Sequence, residues 1–391
     1  MRVLALGGAG EYGRHAVRIL ASSSIVSEIV IAGRNLEAAQ SCAKGVGPNA
    51  RAVSVDISDQ DKLVALARDC DIVVNTAGPE WQVVLKALDA AMTAGTNYCD
   101  ICGHGPTTEK ALEMDSAAKT KGVTALLGIG ACPGIGTLMM VHAARQLDRV
   151  EEVRSCVLAP AAAFGITKDV VRSYREASHL SAGWQMFMKW ATPPFHDYRD
   201  GGLVTVKNKT DEAKITMPGN GEIPAVLVCS AEAVTLPRTV PEVGGVHTLF
   251  SWFPFDLNGT YRELGGRVGK GELDESQAAL AFLDQVLSDQ ELGQPIPSGL
   301  LMGIRWAEAV GTKDGKRTRY SCWPTGWFRP NPTPVAVALA ALKILGGEIR
   351  AHGVLTPESC LDPLPFFKEV ARQQLKTDEP GKLLNETWQT F

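Results

Sequence analysis

Two short stretches carry residue types whose spacing suits chemistry. Gly7 to Gly13 reads GGAGEYG, in which Gly8, Gly10 and Gly13 give a G-x-G-x-x-G spacing with Glu11 and Tyr12 between the last two. Between a strand and a helix, Gly8 allows a tight turn, Gly10 lets a pyrophosphate approach the backbone, and Gly13 lets helix and strand pack closely. The helix N-terminus then faces the phosphates. Asn97 to His104 reads NYCDICGH, with Asp100 between Cys99 and Cys102 and His104 two residues further on. It is either a metal or redox centre, or the floor of an active site that contains cysteine.

The elements around these stretches decide between the two. RVLALG, EIVIAG, RAVSVD, DIVVNTAG, NYCDI and GVTALLG read as short strands, separated by helical patterns over Tyr12–Ser22, Leu36–Lys44, Gln60–Arg68, Val83–Ala94 and Glu109–Lys121. This alternation fits an α/β fold, a doubly wound parallel sheet of the Rossmann type over residues 1–130. Side chains alternate along a strand, so Tyr98 and Asp100 face one way and Cys99 the other, with Cys102 pointing away from Cys99. Thiols on opposite faces hold no common metal and close no disulfide, so no metal site is expected. After Gly134 a helix to Leu147 is expected. Residues 131–334 then read as a second, α+β domain built on an antiparallel sheet, with few regular helices between its strands and a hairpin around Asp314-Gly315. From Pro334, PVAVALAALKILGG is helical and ends in a Gly pair suited to a left-handed cap.

Ligands of such a sheet lie outside the carboxyl ends of its strands. The second strand ends in AGRN, where NAD sites carry an acid; Gly33 leaves room, and Arg34, followed by Asn35, offers a planar fork of donors to a 2′-phosphate. The cofactor expected is NADP(H). Asp56-Ile57 after the third strand falls beside the adenine, and Thr76-Ala77-Gly78 after the fourth beside the ribose and nicotinamide; either is also readable as a loop cap. Loops after strands four, five and six bring together Gly78, the stretch from Asp100 to His104, and Cys132-Pro133. Asp100 is the first candidate for orienting or protonating a substrate, with Tyr98 or His104 as proton relay. As a cap or loop hydrogen bond it would be structural only. Arg172 and Arg175, three apart on a helix, either clamp a substrate carboxylate or lie solvated beside Glu176; Arg262 is a third candidate. Trp184, Trp190, Trp252, Trp323 and Trp327 fall in the second domain, as a pocket wall or as core.

With 391 residues, 45% of them hydrophobic and 21% charged, the chain can bury a full core in two domains. A formal charge of −4, with lysine and arginine dispersed, gives no footprint for nucleic acid or an anionic membrane surface, which leaves small molecules and protein as partners. Nine cysteines without framework spacing and a strand-like start point to a cytoplasmic location. The longest uncharged stretch, Val123 to Ala143, is broken by GIGACPGIG and reads as strand, turn and helix start, with no membrane span.

GGAGEYGR at 7–14, AGRN at 32–35, NTAGP at 75–79, NYCDICG at 97–103, GIGACPGIG at 128–136 and GVLTPE at 353–358 together resemble the saccharopine dehydrogenase (saccharopine reductase) NADP-binding family. The resemblance implies that a C-terminal segment, 335–391, completes the dinucleotide domain and that the middle domain serves substrate and homodimer contacts. It also implies NADPH-dependent reduction of an imine formed from an amine, such as an amino acid, and a carbonyl compound. Family members often have an acid where Cys132 stands. Two other readings share the cofactor site: reduction of a ketone or activated alkene, and a nucleotide-binding regulatory protein that has lost turnover. From Arg34, NADPH is expected to bind more tightly than NADH, and Arg34→Ala to weaken NADPH by about tenfold. Fluorescence titration of both dinucleotides measures this, and equal affinities in the parent protein contradict the assignment.

Overall fold

In the computed structural model the chain begins with β1 (Arg2–Leu6), α1 (Gly13–Ala21), β2 (Glu28–Gly33), α2 (Leu36–Val46), β3 (Ala50–Ser54), α3 (Gln60–Arg68), β4 (Ile72–Asn75), α4 (Glu80–Ala94), β5 (Asn97–Asp100), α5 (Gly105–Leu112), α6 (Asp115–Thr120) and β6 (Thr124–Leu126). There follow α7 (Ile135–Ala144), β7 (Arg149–Leu158), α8 (Lys168–Glu176), α9 (Ala182–Trp190), β8 (Phe195–Arg199), β9 (Gly202–Val206), β10 (Glu212–Met217), β11 (Gly221–Leu227), α10 (Glu232–Thr235), β12 (Gly245–Ser251), α11 (Asn258–Gly269), α12 (Glu275–Ser288), β13 (Arg305–Lys313) and β14 (Lys316–Pro324). The chain closes with α13 (Thr333–Leu345), β15 (Gly353–Leu355), α14 (Pro357–Cys360), α15 (Pro363–Leu375) and β16 (Leu384–Thr390). Residues 160–167, 177–179, 181, 209, 218–220, 253–256 and 289–304 lie outside this description. Two compact units result: Met1–Leu138 with Trp327–Gly381, and Met139–Gly326 with Lys382–Phe391.

The first unit is built on a seven-stranded sheet in the order β15-β6-β5-β4-β1-β2-β3, all its pairs parallel. Val3 to Leu6 and Ile72 to Asn75 are shielded from solvent, as strands covered by helices on both faces must be. Six of the strands follow the sequence reading. The seventh, β15, comes from the GVL of the C-terminal segment and pairs with β6. The single helix expected over Glu109–Lys121 is two, α5 and α6, and α4 starts at Glu80, ahead of the expected Val83.

The second unit carries a nine-stranded sheet that is mixed, which corrects the antiparallel expectation: β7 and β12 run parallel from Glu152–Gly245 to Leu158–Ser251. The chain between them, with α8 and α9, is long enough for the crossover that parallel pairing needs. Helices α8 and α9 lie between the first two strand-like runs, where few regular helices are expected. The hairpin is as expected, with Lys313 opposite Lys316 and positive φ at both Asp314 and Gly315. Strand β16 pairs with β14, so the last residues of the 335–391 segment belong to this unit and not to the first. Trp184, Trp190 and Trp252 join Phe187, Phe250, Tyr261 and Phe282 in an aromatic core, and Trp323 stacks on Trp306 with ring centres 5.1 Å apart. Trp327 belongs to the first unit, against Phe367. No helix among the described residues is long and apolar enough to cross a membrane.

The glycine loop between β1 and α1 turns at Gly7, whose φ is +69°, rather than at Gly8. A Cβ on Gly13 would lie 2.2 Å from the Gly7 carbonyl oxygen and 2.7 Å from Thr76 Oγ1, so helix and strand approach as closely as the spacing implied. Gly13→Ala is therefore expected to cost roughly 3 kcal/mol. Denaturant unfolding measures it, and an unchanged midpoint would show that the loop relaxes without loss.

Candidate active site

The glycine loop and the first turn of α1 form a cradle that suits a dinucleotide. A Cβ on Gly10 would meet only the Gly7 carbonyl oxygen, at 3.1 Å, and one on Gly33 would meet nothing within 4 Å, so both backbones face open space. Helix α1 has neither a side-chain cap nor an acid in its first turn, whereas α2 and α3 are capped by Asn35 and Asp59. Its N-terminal dipole is left for an anion. Arg34 is exposed, with no ion pair among the described residues, while the Asn35 side chain accepts from Ala38 N at 2.9 Å and is committed to capping. Asp56 accepts from the backbone N and hydroxyl of Ser58, which hold its carboxyl below the usual range, with Arg34 adding to the effect; Ile57 beside it is half-buried. The Thr76 hydroxyl donates to Leu6 O at 3.1 Å, tying β4's end to the loop. Glu11 is exposed and Tyr12 half-buried.

The loops after β4, β5 and β6 are knitted together by two buried carboxyl groups. Asp100, 1% exposed at the end of β5, accepts from Cys102 N at 3.0 Å, Gly128 N at 2.7 Å and the Tyr98 hydroxyl at 2.9 Å. Tyr98 in turn accepts from Asn75 Nδ2 at 3.0 Å, and Asn75 Oδ1 accepts from Ala77 N at 3.0 Å. Glu80, 8% exposed in the first turn of α4, accepts from Gly103 N at 2.6 Å and His104 N at 3.1 Å. His104 is buried, and its Nδ1 lies 2.8 Å from Thr107 Oγ1. Tyr98 and Asp100 share a face as alternation requires, while Cys99 Sγ lies 3.9 Å from Val337 O and Cys102 Sγ 3.9 Å from Thr108 Oγ1.

Burial is the main influence on both acids, opposed by the backbone N–H groups that favour the charged form. It pushes Asp100 up to about 6 and Glu80 up to about 8, where the Asp100 charge adds to the rise. Glu80 is thus a carboxylic acid that keeps its proton through neutral pH. The Tyr12 hydroxyl is raised to about 12 by burial and by the charges of Glu11, Glu80 and Cys132, so the glycine loop and the loops after β4 and β6 lie within electrostatic reach of one another. Cys132 is half-buried and Pro133 buried beside it. Glu80 and Asn75 escaped the sequence reading: an acid at a helix start looks like a dipole partner, and a polar residue ending an apolar strand looks like a turn.

The arginines proposed for a substrate anion are engaged elsewhere in the second unit. Arg172, largely exposed, pairs with Asp169 at 3.5 Å, and Arg175 hydrogen-bonds Asp284, so the two do not form one clamp. Arg262 donates to Thr210 O at 2.8 Å and pairs with Glu212.

A family model, the Saccharopine dehydrogenase NADP binding domain, matches residues 3–126, and NADP(H) is accordingly the cofactor. The chain is 26% identical over 177 residues to carboxynorspermidine synthase of Vibrio alginolyticus, covering 39% of this chain and 42% of that protein. It is 31% identical over 104 residues to trans-acting enoyl reductase of Mycobacterium tuberculosis, covering 26% of this chain and 25% of the reductase. It thus spans less than half the length of these relatives. Apo saccharopine dehydrogenase (L-Glu forming) from Saccharomyces cerevisiae aligns over 99% of both chains with a TM-score of 0.61 and 17% identity, a likeness of fold.

Because the folded pKa values of Glu80 and Asp100 are raised, their share of stability is full below their ordinary values. It is lost as pH rises through about 6 for Asp100 and about 8 for Glu80. Glu80→Gln keeps an acceptor for the two N–H groups and removes the later step. Its stability relative to the parent is expected to climb by on the order of 4 kcal/mol between about pH 5 and about pH 9. Chemical denaturation across that range measures the difference, and a flat difference contradicts the raised Glu80.

Proposed function

Because residues 3–126 match the Saccharopine dehydrogenase NADP binding domain, we propose that the chain is an NADPH-dependent oxidoreductase of that family, reducing an imine formed from an amine and a carbonyl compound. An amino acid is the amine that this reading favours. The observation that carries it is the acid Glu80, protonated at neutral pH within electrostatic reach of Tyr12 in the cofactor loop. Bound NADPH supplies a hydride to the imine carbon. The nitrogen needs a proton, so imine, NADPH and H⁺ give amine and NADP⁺. Glu80 holds that proton in this reading. Asp100, Tyr98 and His104 act as positioning residues: Asp100 and Tyr98 are spent on each other and on loop N–H groups, and His104 holds Glu80 through its backbone. In the same reading the enzyme works in the cytoplasm as a homodimer on small molecules.

The enoyl reductase likeness favours a second reading, reduction of an activated alkene by the same cofactor. Oxidation of NADPH, followed at 340 nm, separates the two. Consumption is expected only when an amine and a carbonyl compound are supplied together. Consumption with an enoyl or keto substrate alone contradicts the imine assignment, and tight NADPH binding with no consumption by any pair contradicts turnover. In the active enzyme, kcat/KM is expected to fall as pH rises through about 8, and Glu80→Gln to lower the rate by roughly 10²-fold or more and abolish that limb. A Glu80→Gln enzyme with the parent's pH profile would remove Glu80 from the proton path.

A further inference from the structure

The stretch Phe328-Arg329-Pro330-Asn331-Pro332, where the chain re-enters the first unit ahead of α13, is fixed from several sides. Thr333 Oγ1 accepts from Ala131 N at 3.0 Å, beside Cys132 in the loop after β6. Asn331 Nδ2 reaches the Tyr12 hydroxyl at 3.4 Å, and Asn331 Oδ1 accepts from Thr333 N at 3.0 Å. Gln374 Nε2 donates to Pro330 O at 2.5 Å, and Trp327, one turn earlier, is stacked on Phe367. Arg329 is therefore held at the strand ends, between the glycine loop and the loop after β6.

Its charge has no counterpart. Arg329 Nη2 is shielded from solvent without a hydrogen-bond partner, and no carboxylate among the described residues forms an ion pair with it. Burial lowers its pKa and no neighbouring acid offsets the effect. The sequence has no acid between Asp314 and Glu348 to supply one locally. Arg305, by contrast, is buried with Glu232 at 3.1 Å and Ser155 at 3.2 Å. Arg329 as a whole is half-buried, so the unmet demand sits on the shielded Nη2; a shielded guanidinium nitrogen without a partner costs stability, and the fork of donors matches carboxylate and phosphate oxygens.

We propose that Arg329 is an oxyanion-binding residue of the first unit, receiving a dinucleotide phosphate or a substrate carboxylate. The inference builds on the site described under the proposed function but needs no turnover, so binding tests it even if imine reduction fails. The experiment titrates the full-length protein and its Arg329→Met and Arg329→Lys variants with NADP⁺. It then titrates the NADP⁺-saturated proteins with pyruvate and 2-oxoglutarate, following heat or intrinsic fluorescence. For at least one of these probes, Arg329→Met is expected to weaken binding tenfold or more and Arg329→Lys less, because a point charge replaces a fork. A loss confined to NADP⁺ identifies the phosphate, and a loss confined to the keto acids identifies a carboxylate of the substrate. Ligand-free Arg329→Met is expected to be at least as stable as the parent, since it discards an uncompensated charge. Binding of every probe within twofold of the parent, or a less stable ligand-free variant, overturns the proposal.

Discussion

The strand-end face of the first unit depends on the Asp100 carboxylate. One oxygen accepts from Cys102 and Gly128 N–H groups and the other from the Tyr98 hydroxyl, so a single side chain fixes the exit of β5, the exit of β6 and a tyrosine that in turn holds Asn75 at the exit of β4. In the interior an ionised carboxylate survives only where several donors converge on it. Those donors are backbone groups of the loops themselves, so the loops hold the acid and the acid holds the loops. Glu80 repeats the arrangement one layer over, with Gly103 and His104 as donors.

Two acids held in this way need not share a protonation state. Asp100 shows the smaller rise, whereas Glu80 also feels the Asp100 charge, so its proton is held more firmly. Environments that drive two carboxyl groups apart are how a site keeps one acid and one anion at the same pH. In the proposed reading, adjacent loops serve cofactor binding and proton supply: the uncapped start of α1 would take phosphates, and the β4 and β5 exits would supply the proton.

Much of this was legible from the sequence. Alternating apolar runs and glycine spacing locate β1 to β6, the cradle and the face-sharing of Tyr98 and Asp100, because these follow from periodicity and from the steric needs of a turn. What escaped depends on distant parts of the chain meeting. Glu80 finds its partners more than twenty residues away, β15 arrives from the C-terminal segment, and β7 and β12 pair in parallel although local alternation looks the same for either direction. Arg172 and Arg175 share a helix face, but each is drawn off by a different acid, Asp169 and Asp284, and the second of these lies on α12.

The claim that joins cofactor, acid and substrate is that a hydride is delivered to a carbon bearing nitrogen. With an amine and a carbonyl compound supplied together and NADPH deuterated stereospecifically at the transferable position, nuclear magnetic resonance of the product locates the label. The account predicts deuterium on the carbon of the newly formed carbon–nitrogen bond; deuterium on a carbinol carbon, or on the β-carbon of a reduced alkene, would contradict it.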